Sequence, residues 1–284
     1  MRRPERDEGY AGADVSGGGE GDGVLEIAGL TLDLPARVGG FRRVLHGVDL
    51  PLRRGRIHGL AGESGSGKTM TGLAVLGLLP EGARTGGEIL LDGTDLLSLP
   101  PRRIAALRGR VVSMVFQDPA TSLHPMLSIG HQLTDHVRHH RKLSRKAARD
   151  RAVELLRQVR IPEPEAALRS YPHQFSGGMR QRIALAIALA CEPSVLIADE
   201  PTTALDVTVQ AGVLRLLRGL CDELGLAVLL VTHDLGVMSA VADTVSVLRD
   251  GRVVESGPRA EVLTVPRHAY TRELLDALPG RNTG

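Results

Sequence analysis

Eight consecutive residues, Gly62-Glu63-Ser64-Gly65-Ser66-Gly67-Lys68-Thr69, fit the spacing G-x-x-x-x-G-K-[ST]. Each residue type answers a need set by a chain of phosphates. Glycines let backbone N–H groups curl around phosphate oxygens with no side chain in the way. Lys68 carries a mobile point charge to the β- and γ-phosphates, and the Thr69 hydroxyl can ligate Mg²⁺. An apolar strand, Ile57 to Ala61, is expected before the loop and a helix after it, so that a helix N-terminus faces the anion. Lysine usage agrees. Of 35 basic residues only Lys68, Lys142 and Lys146 are lysines. A chain that otherwise uses arginine keeps lysine where a compact ammonium serves better than a planar fork.

A second cluster reads as hydrolytic. The apolar run Val195 to Ala198 ends in Asp199-Glu200, two carboxylates delivered where α/β sheets keep their ligands. Asp199 would support Mg²⁺ through its water shell, and Glu200 would orient and polarise an attacking water. Another run, Ala227 to Thr232, ends in His233-Asp234. A histidine at a strand end commonly has a structural role; if this strand neighbours the Asp199 strand, His233 reaches the γ-phosphate. Gln117, directly after the strand Val111 to Phe116, could contact Mg²⁺ or the water. Ser176-Gly177-Gly178-Met179-Arg180-Gln181 opens an Ala-rich helix running toward Cys191. Ser176 suits an N-cap, and the paired glycines leave N–H groups bare, which makes a second anion-binding helix start.

The elements that must position these residues follow from periodicity. Val24 to Leu34, Val44 to Leu52 and Ile89 to Leu91 predict an antiparallel region with a turn at Asp92-Gly93. The strands Val111 to Phe116, Val195 to Ala198 and Ala227 to Thr232 are short, nearly continuous apolar runs, as a parallel sheet buried on both faces requires. Between Asp118 and Gln174 only helical patterns occur, near Ile129 to His140 and Arg145 to Val159, ahead of Pro162 and Pro164. A last hairpin turns at Asp250-Gly251, and Arg267 to Leu278 predicts a closing helix. Residues 1–23, rich in Gly, Asp and Glu, are expected to be a disordered tail, and 281–284 a C-terminal tail.

Composition narrows the class. Apolar content of 42% and charged content of 24% suit a globular protein, and aromatics at 2% leave the core to aliphatic side chains. A net charge of +2 gives no reason to expect nucleic acid as a partner. No apolar stretch approaches the ~20 residues of a membrane-spanning helix, and no secretory signal follows Arg2, Arg3 and Arg6. Cys191 and Cys221, far apart, read as core residues in a reducing compartment.

The order Gly62–Thr69, Gln117, Ser176–Gln181, Asp199-Glu200, Asp206, His233 resembles the ATP-binding-cassette (ABC) ATPases over about residues 24 to 278. The resemblance implies a P-loop parallel-sheet core with an antiparallel β subdomain and a helical subdomain inserted at about 118–178. It implies ATP and Mg²⁺ as ligands and a second ABC ATPase subunit, the same chain or a related one. In the family the Ser176 segment is the signature loop that closes on ATP held by the partner, and Asp206 lies in the loop through which subunits communicate. Gln117 to Pro125, Tyr171 to Phe175, Thr202 to Thr208 and His268 to Arg272 are similar to the peptide/nickel importer branch. That implies permease subunits, an extracytoplasmic solute-binding protein and a peripheral position on the cytoplasmic face of the membrane. Departures are His124 for Asn, Ala269 for Pro and the missing cysteine-bearing part of the C-terminal extension. The adenine-stacking aromatic is replaced by Leu34, with Phe41 as an alternative. The rival reading is an ABC ATPase of DNA repair or chromosome organisation, which would carry long coiled-coil or zinc-binding insertions; the sequence shows neither.

Overall fold

The structure, a computed structural model, describes residues 23–36, 39–118, 122–203 and 205–277. The segments expected to be tails, apart from Gly23, lie outside these residues. Among the described residues ten strands run in chain order: β1 Gly23–Pro35, β2 Phe41–Arg53, β3 Ile57–Ala61, β4 Arg84–Leu91, β5 Thr94–Asp95, β6 Val112–Val115, β7 Val195–Asp199, β8 Ala227–Val231, β9 Thr244–Arg249 and β10 Arg252–Pro258. They form two sheets, a four-stranded one in the order β2-β1-β4-β5 and a six-stranded one in the order β10-β9-β3-β8-β7-β6.

In the six-stranded sheet β9, β3, β8, β7 and β6 are all parallel, and only β10 runs against its neighbour. Every residue of β3, β7 and β8 is buried. The two-residue side-chain period splits each strand between two cores. Leu196 and Ala198 of β7 face the core shared with the helices Gly177–Ala188 and Val207–Leu224. Val195 and Ile197 face the core shared with the antiparallel sheet and the helix Lys68–Val75. Val228 and Leu230 of β8 divide from Ala227, Leu229 and Val231 in the same way. Each fully buried side chain of this size contributes about 1.5–3 kcal/mol.

Between β6 and the helix Gly177–Ala188 the described residues form no strand. The helices Ile129–Arg141 and Arg145–Gln158 begin at Ser128 and Ser144, whose hydroxyls accept from the N–H groups of His131 and Ala147. Ile129, Leu133 and Val137 of the first and Ala148, Ala152 and Leu156 of the second pack into the core that holds Ile183 and Leu185. His124 does locally what an asparagine does in a turn: its Nδ1 accepts from the Met126 N–H at 3.3 Å.

The helix Val207–Leu224 joins β7 to β8; Asp206 caps its start and Gly225, at φ 63°, closes it. The closing helix is shorter, Ala269–Asp276, and Leu278 lies outside the described residues. The expected hairpin at Asp250-Gly251 forms between β9 and β10, and β9 pairs with β3 directly beneath the phosphate loop.

That hairpin ties three parts together. Asp250 and Gly251 have φ 46° and 73°, as a two-residue hairpin turn demands. The Gly251 N–H donates to the Ser66 carbonyl at 3.0 Å, and its carbonyl accepts from the His46 N–H at 2.8 Å. A Cβ at Gly251 would sit 2.0 Å from the Val44 carbonyl oxygen. We expect Gly251→Ala to destabilise the chain by about 3 kcal/mol, a fall in Tm of roughly 5–10 °C. Calorimetric melting checks it, and an unchanged Tm would show that the turn does not brace the loop.

Candidate active site

Parallel register brings four loops to one edge. The phosphate loop follows β3, His233 follows β8, Asp199-Glu200 ends β7, and Gln117 follows β6. β7 and β8 are neighbours with Asp199 opposite Val231, which meets the condition on which His233 depended. His233 Nδ1 lies 2.9 Å from Glu200 Oε1, and Gln117 Nε2 donates to Glu200 Oε2 at 2.6 Å. Glu200 itself has φ 45°, a left-handed backbone rare for a glutamate, held by its N–H donating to the Val231 carbonyl at 2.8 Å. Such strain persists only where the surroundings over-determine it.

Asp199 emerges on the other face. By alternation it shares the side of Val195 and Ile197, where the helix Lys68–Val75 packs. Thr69 and Gly72, one turn apart, lie over Asp199 and Ile197. The Thr69 hydroxyl donates to Asp199 Oδ1 at 3.3 Å, and a Cβ on Gly72 would stand 3.1 Å from Ile197 Cγ2. The loop fits a phosphate chain. Gly67 ends it in a left-handed conformation with no side-chain cap, so the first N–H groups of the helix remain open to an anion. Ser66 Oγ is buried without a hydrogen-bond partner. Lys68, 5% exposed, donates to the carbonyls of Gly62 and Glu63 at 2.7 and 2.8 Å.

The Ser176 segment belongs to a different element and has its own partners. Ser176 Oγ accepts from the Met179 N–H at 3.3 Å, as an N-cap should. A Cβ on Gly178 would lie 2.3 Å from Val209 Cγ1, so this glycine is required by the approach of the neighbouring helix as well as by any ligand. Asp206 is the N-cap of that neighbouring helix, with Oδ1 accepting from the Val209 N–H at 2.9 Å. Gln181 is 1% exposed, and its amide nitrogen is buried without a hydrogen-bond partner.

Residues 45–203 match the sequence model of the ABC transporter family, more than half of the chain. The chain belongs to the ABC transporter family. It is 48% identical over 244 residues to a probable peptide ABC transporter ATP-binding protein of Sinorhizobium fredii, covering 85% of this chain and 73% of the relative. It is 46% identical over 258 residues to a dipeptide transport ATP-binding protein of Bacillus subtilis, covering 90% and 77%. Its fold superposes with a TM-score of 0.72 on the dimeric ATP-binding cassette MJ0796 bound to ADP and Pi, at 27% identity over 83% of this chain and 98% of that one. As an ABC ATPase it binds ATP and hydrolyses it.

The electrostatics separate the two carboxylates of this ABC ATPase. Burial dominates Asp199 and pushes its carboxyl above the ordinary value; the Glu200 charge adds, and the Thr69 hydrogen bond opposes. Burial also pushes Glu200 upward, but hydrogen bonds from His233 and Thr203, with the charge of Lys68, outweigh it and hold that carboxyl below its ordinary value. Lys68 is lowered by burial, against the attraction of Glu200, Asp199 and Glu63.

Thr203 is the participant that sequence reasoning missed. Its hydroxyl donates to Glu200 Oε2 at 2.9 Å, and a threonine three residues after a glutamate carries no sequence signal of that role. Leu34 packs against the antiparallel-sheet core and pairs with Arg42 across β1–β2, while Phe41 carries the Arg84 guanidinium 3.8 Å from its ring centroid. Because hydrogen bonds depress Glu200 against burial, removing one must move its titration up. We expect the Glu200 carboxyl in His233→Ala to titrate at higher pH than in the wild type, read by ¹³C carboxyl NMR. An unchanged midpoint would show that His233 does not hold the acid in its ionised form.

Proposed function

We propose that this chain is the ATP-hydrolysing subunit that drives a membrane permease importing peptides or a related small solute. The convergence of Gln117, Thr203 and His233 on one carboxylate beside the phosphate loop supports the chemical part. Gly62 to Thr69 cradle the phosphates, with Lys68 directing the N–H that its two carbonyls leave free toward the β- and γ-phosphates. Glu200 accepts a proton from the attacking water, His233 holds Glu200 and senses the γ-phosphate, and Gln117 places the water. Thr69, Gln117 and Asp199 would hold Mg²⁺, which neutralises charge on the transferring phosphate when bound. A site of this kind is completed by substrate phosphates and water, so it needs no cage of protein carboxylates.

The second part of the reading is a dimer. Ser176, Gly177 and Gly178 close on ATP held by another ABC ATPase subunit, and Asp206 carries the contact between subunits. The solved cassette that this fold resembles is dimeric. Residues 24–280 are assigned to the ATPase domain, with the helical subdomain at about 118–178. Permease subunits and, through them, an extracytoplasmic solute-binding protein are the further partners, with the chain peripheral on the cytoplasmic face. The peptide transport relatives support that assignment, and no described helix is long and apolar enough to cross a membrane. An open groove of about 620 Å³ between the helical region and the sheet, lined by Leu76, Leu78, Met114, Phe116 and Ile187, offers the permease an apolar surface. The relatives named above are transport proteins, which favours this reading over DNA repair.

Glu200→Gln keeps the shape of the acid and removes its basicity. Turnover should fall at least ~10²-fold while ATP binding survives; near-normal turnover in a phosphate-release assay would remove Glu200 from the mechanism. The shared site is tested by mixing. Lys68→Ala and Ser176→Arg each damage both sites of a homodimer, whereas their heterodimer has one site damaged twice and one intact. Mixed dimers should therefore regain ATPase activity that neither parent shows, and no recovery in confirmed mixed dimers would sink the shared-site arrangement.

A further inference from the structure

The helix Ala269–Asp276 has no part in the roles assigned so far, yet its first turn reaches the phosphate loop. Tyr270 is 2% exposed, and its hydroxyl accepts a hydrogen bond from the Glu63 N–H at 3.1 Å. The other half of that same peptide unit is the Gly62 carbonyl, which accepts from Lys68 Nζ at 2.7 Å. The N–H and C=O of one trans peptide lie in a common plane and point in opposite directions. Fixing the N–H therefore fixes where the carbonyl points. Tyr270 and Lys68 grip the two ends of a single rigid plate.

We propose that Tyr270 is a positioning residue for the phosphate loop: it holds the Gly62–Glu63 peptide plane and so keeps the Lys68 ammonium at the end of the loop where phosphate binds. The inference rests on the reading of Gly62 to Thr69 as the ATP site. The plane needs an outside anchor because Gly62, at φ 149°, has no side chain to steady it. None can be added, since a Cβ there would lie 2.1 Å from the Leu248 carbonyl oxygen.

The anchor is itself fixed from three sides. The Arg249 guanidinium sits 4.5 Å from the Tyr270 ring centroid, at the end of the strand that pairs with β3. His268 Nδ1 accepts from the Tyr270 N–H at 3.2 Å and caps the helix. The Glu255 carboxylate of β10 accepts from the N–H groups of Arg267 and His268 at 2.8 and 3.1 Å. The hairpin β9–β10 thus supports the loop twice, directly through Gly251 and indirectly through Tyr270. A change in how the Ala269–Asp276 helix is held is transmitted to Lys68 with no contact to nucleotide.

Tyr270→Phe removes one oxygen and keeps the ring. In the full chain we expect it to weaken Mg-ATP binding about fivefold, the effect of one lost neutral hydrogen bond, with kcat changed less than twofold. A residue that only stabilised the fold would lower Tm without this split between KM and kcat. Titration calorimetry gives the affinities, with displacement of a fluorescent ATP analogue for weak variants. A double-mutant cycle supplies the decisive readout: in a Lys68→Met background, Tyr270→Phe should alter affinity by less than twofold, because the side chain it positions is gone. Two losses that simply add would overturn the route through Lys68. A wild type that binds ATP beside a Tyr270→Phe variant that binds it equally well would overturn this inference alone. A wild type that binds no ATP would overturn the functional reading and this inference with it.

Discussion

Two carboxylates on consecutive residues at the end of a buried strand repel each other and lose hydration, and the surrounding structure is organised to tolerate that. Asp199 takes the larger share of burial and gives up part of its acidity. Glu200 turns away on a left-handed backbone and collects donors from three separate elements, the loops after β6 and β8 and its own turn. Burial alone would push its carboxyl upward. With Gln117, Thr203 and His233 in place the acid is held toward its ionised form and points in one direction, which suits the proton-accepting role proposed for it.

The division of labour between the two acids comes from the period of the strand. Residues two apart share a face, so Asp199 follows Val195 and Ile197 toward the helix Lys68–Val75, where the Thr69 hydroxyl meets it. Shifting β7 by one residue would send Asp199 toward the opposite core and break the link to the phosphate loop. Packing on both faces makes such a slip costly: Leu196 and Ala198 are fully enclosed on one side, Val195 and Ile197 on the other. The same burial that stabilises the fold therefore sets the geometry of the chemistry.

The phosphate loop is steadied by elements distant in sequence. Gly251 holds the Ser66 carbonyl and Tyr270 holds the Glu63 N–H, both from beyond residue 249. A loop made of glycine and serine cannot fix itself, because glycine gives up more conformational entropy on ordering than any other residue. External hydrogen bonds offset that loss and leave the N–H groups at the start of the helix free for an anion.

The sequence by itself marked the candidate residues for the chemistry and many of the elements that carry them. A strand followed by G-x-x-x-x-G-K-T, two acids after an apolar run, and a serine with paired glycines before an Ala-rich helix are local patterns. Their physical causes act within a few residues, and β3 spans the predicted Ile57 to Ala61. The adjacency of β8 to β7, on which His233 depends, was decided by tertiary structure, since strand order is a matter of how crossovers pack and not of any strand's composition. So were the roles of Thr203 and Tyr270, whose hydroxyls acquire meaning only from what the fold sets opposite them. Local sequence fixes what a residue can do, and only packing at long range decides which group it meets.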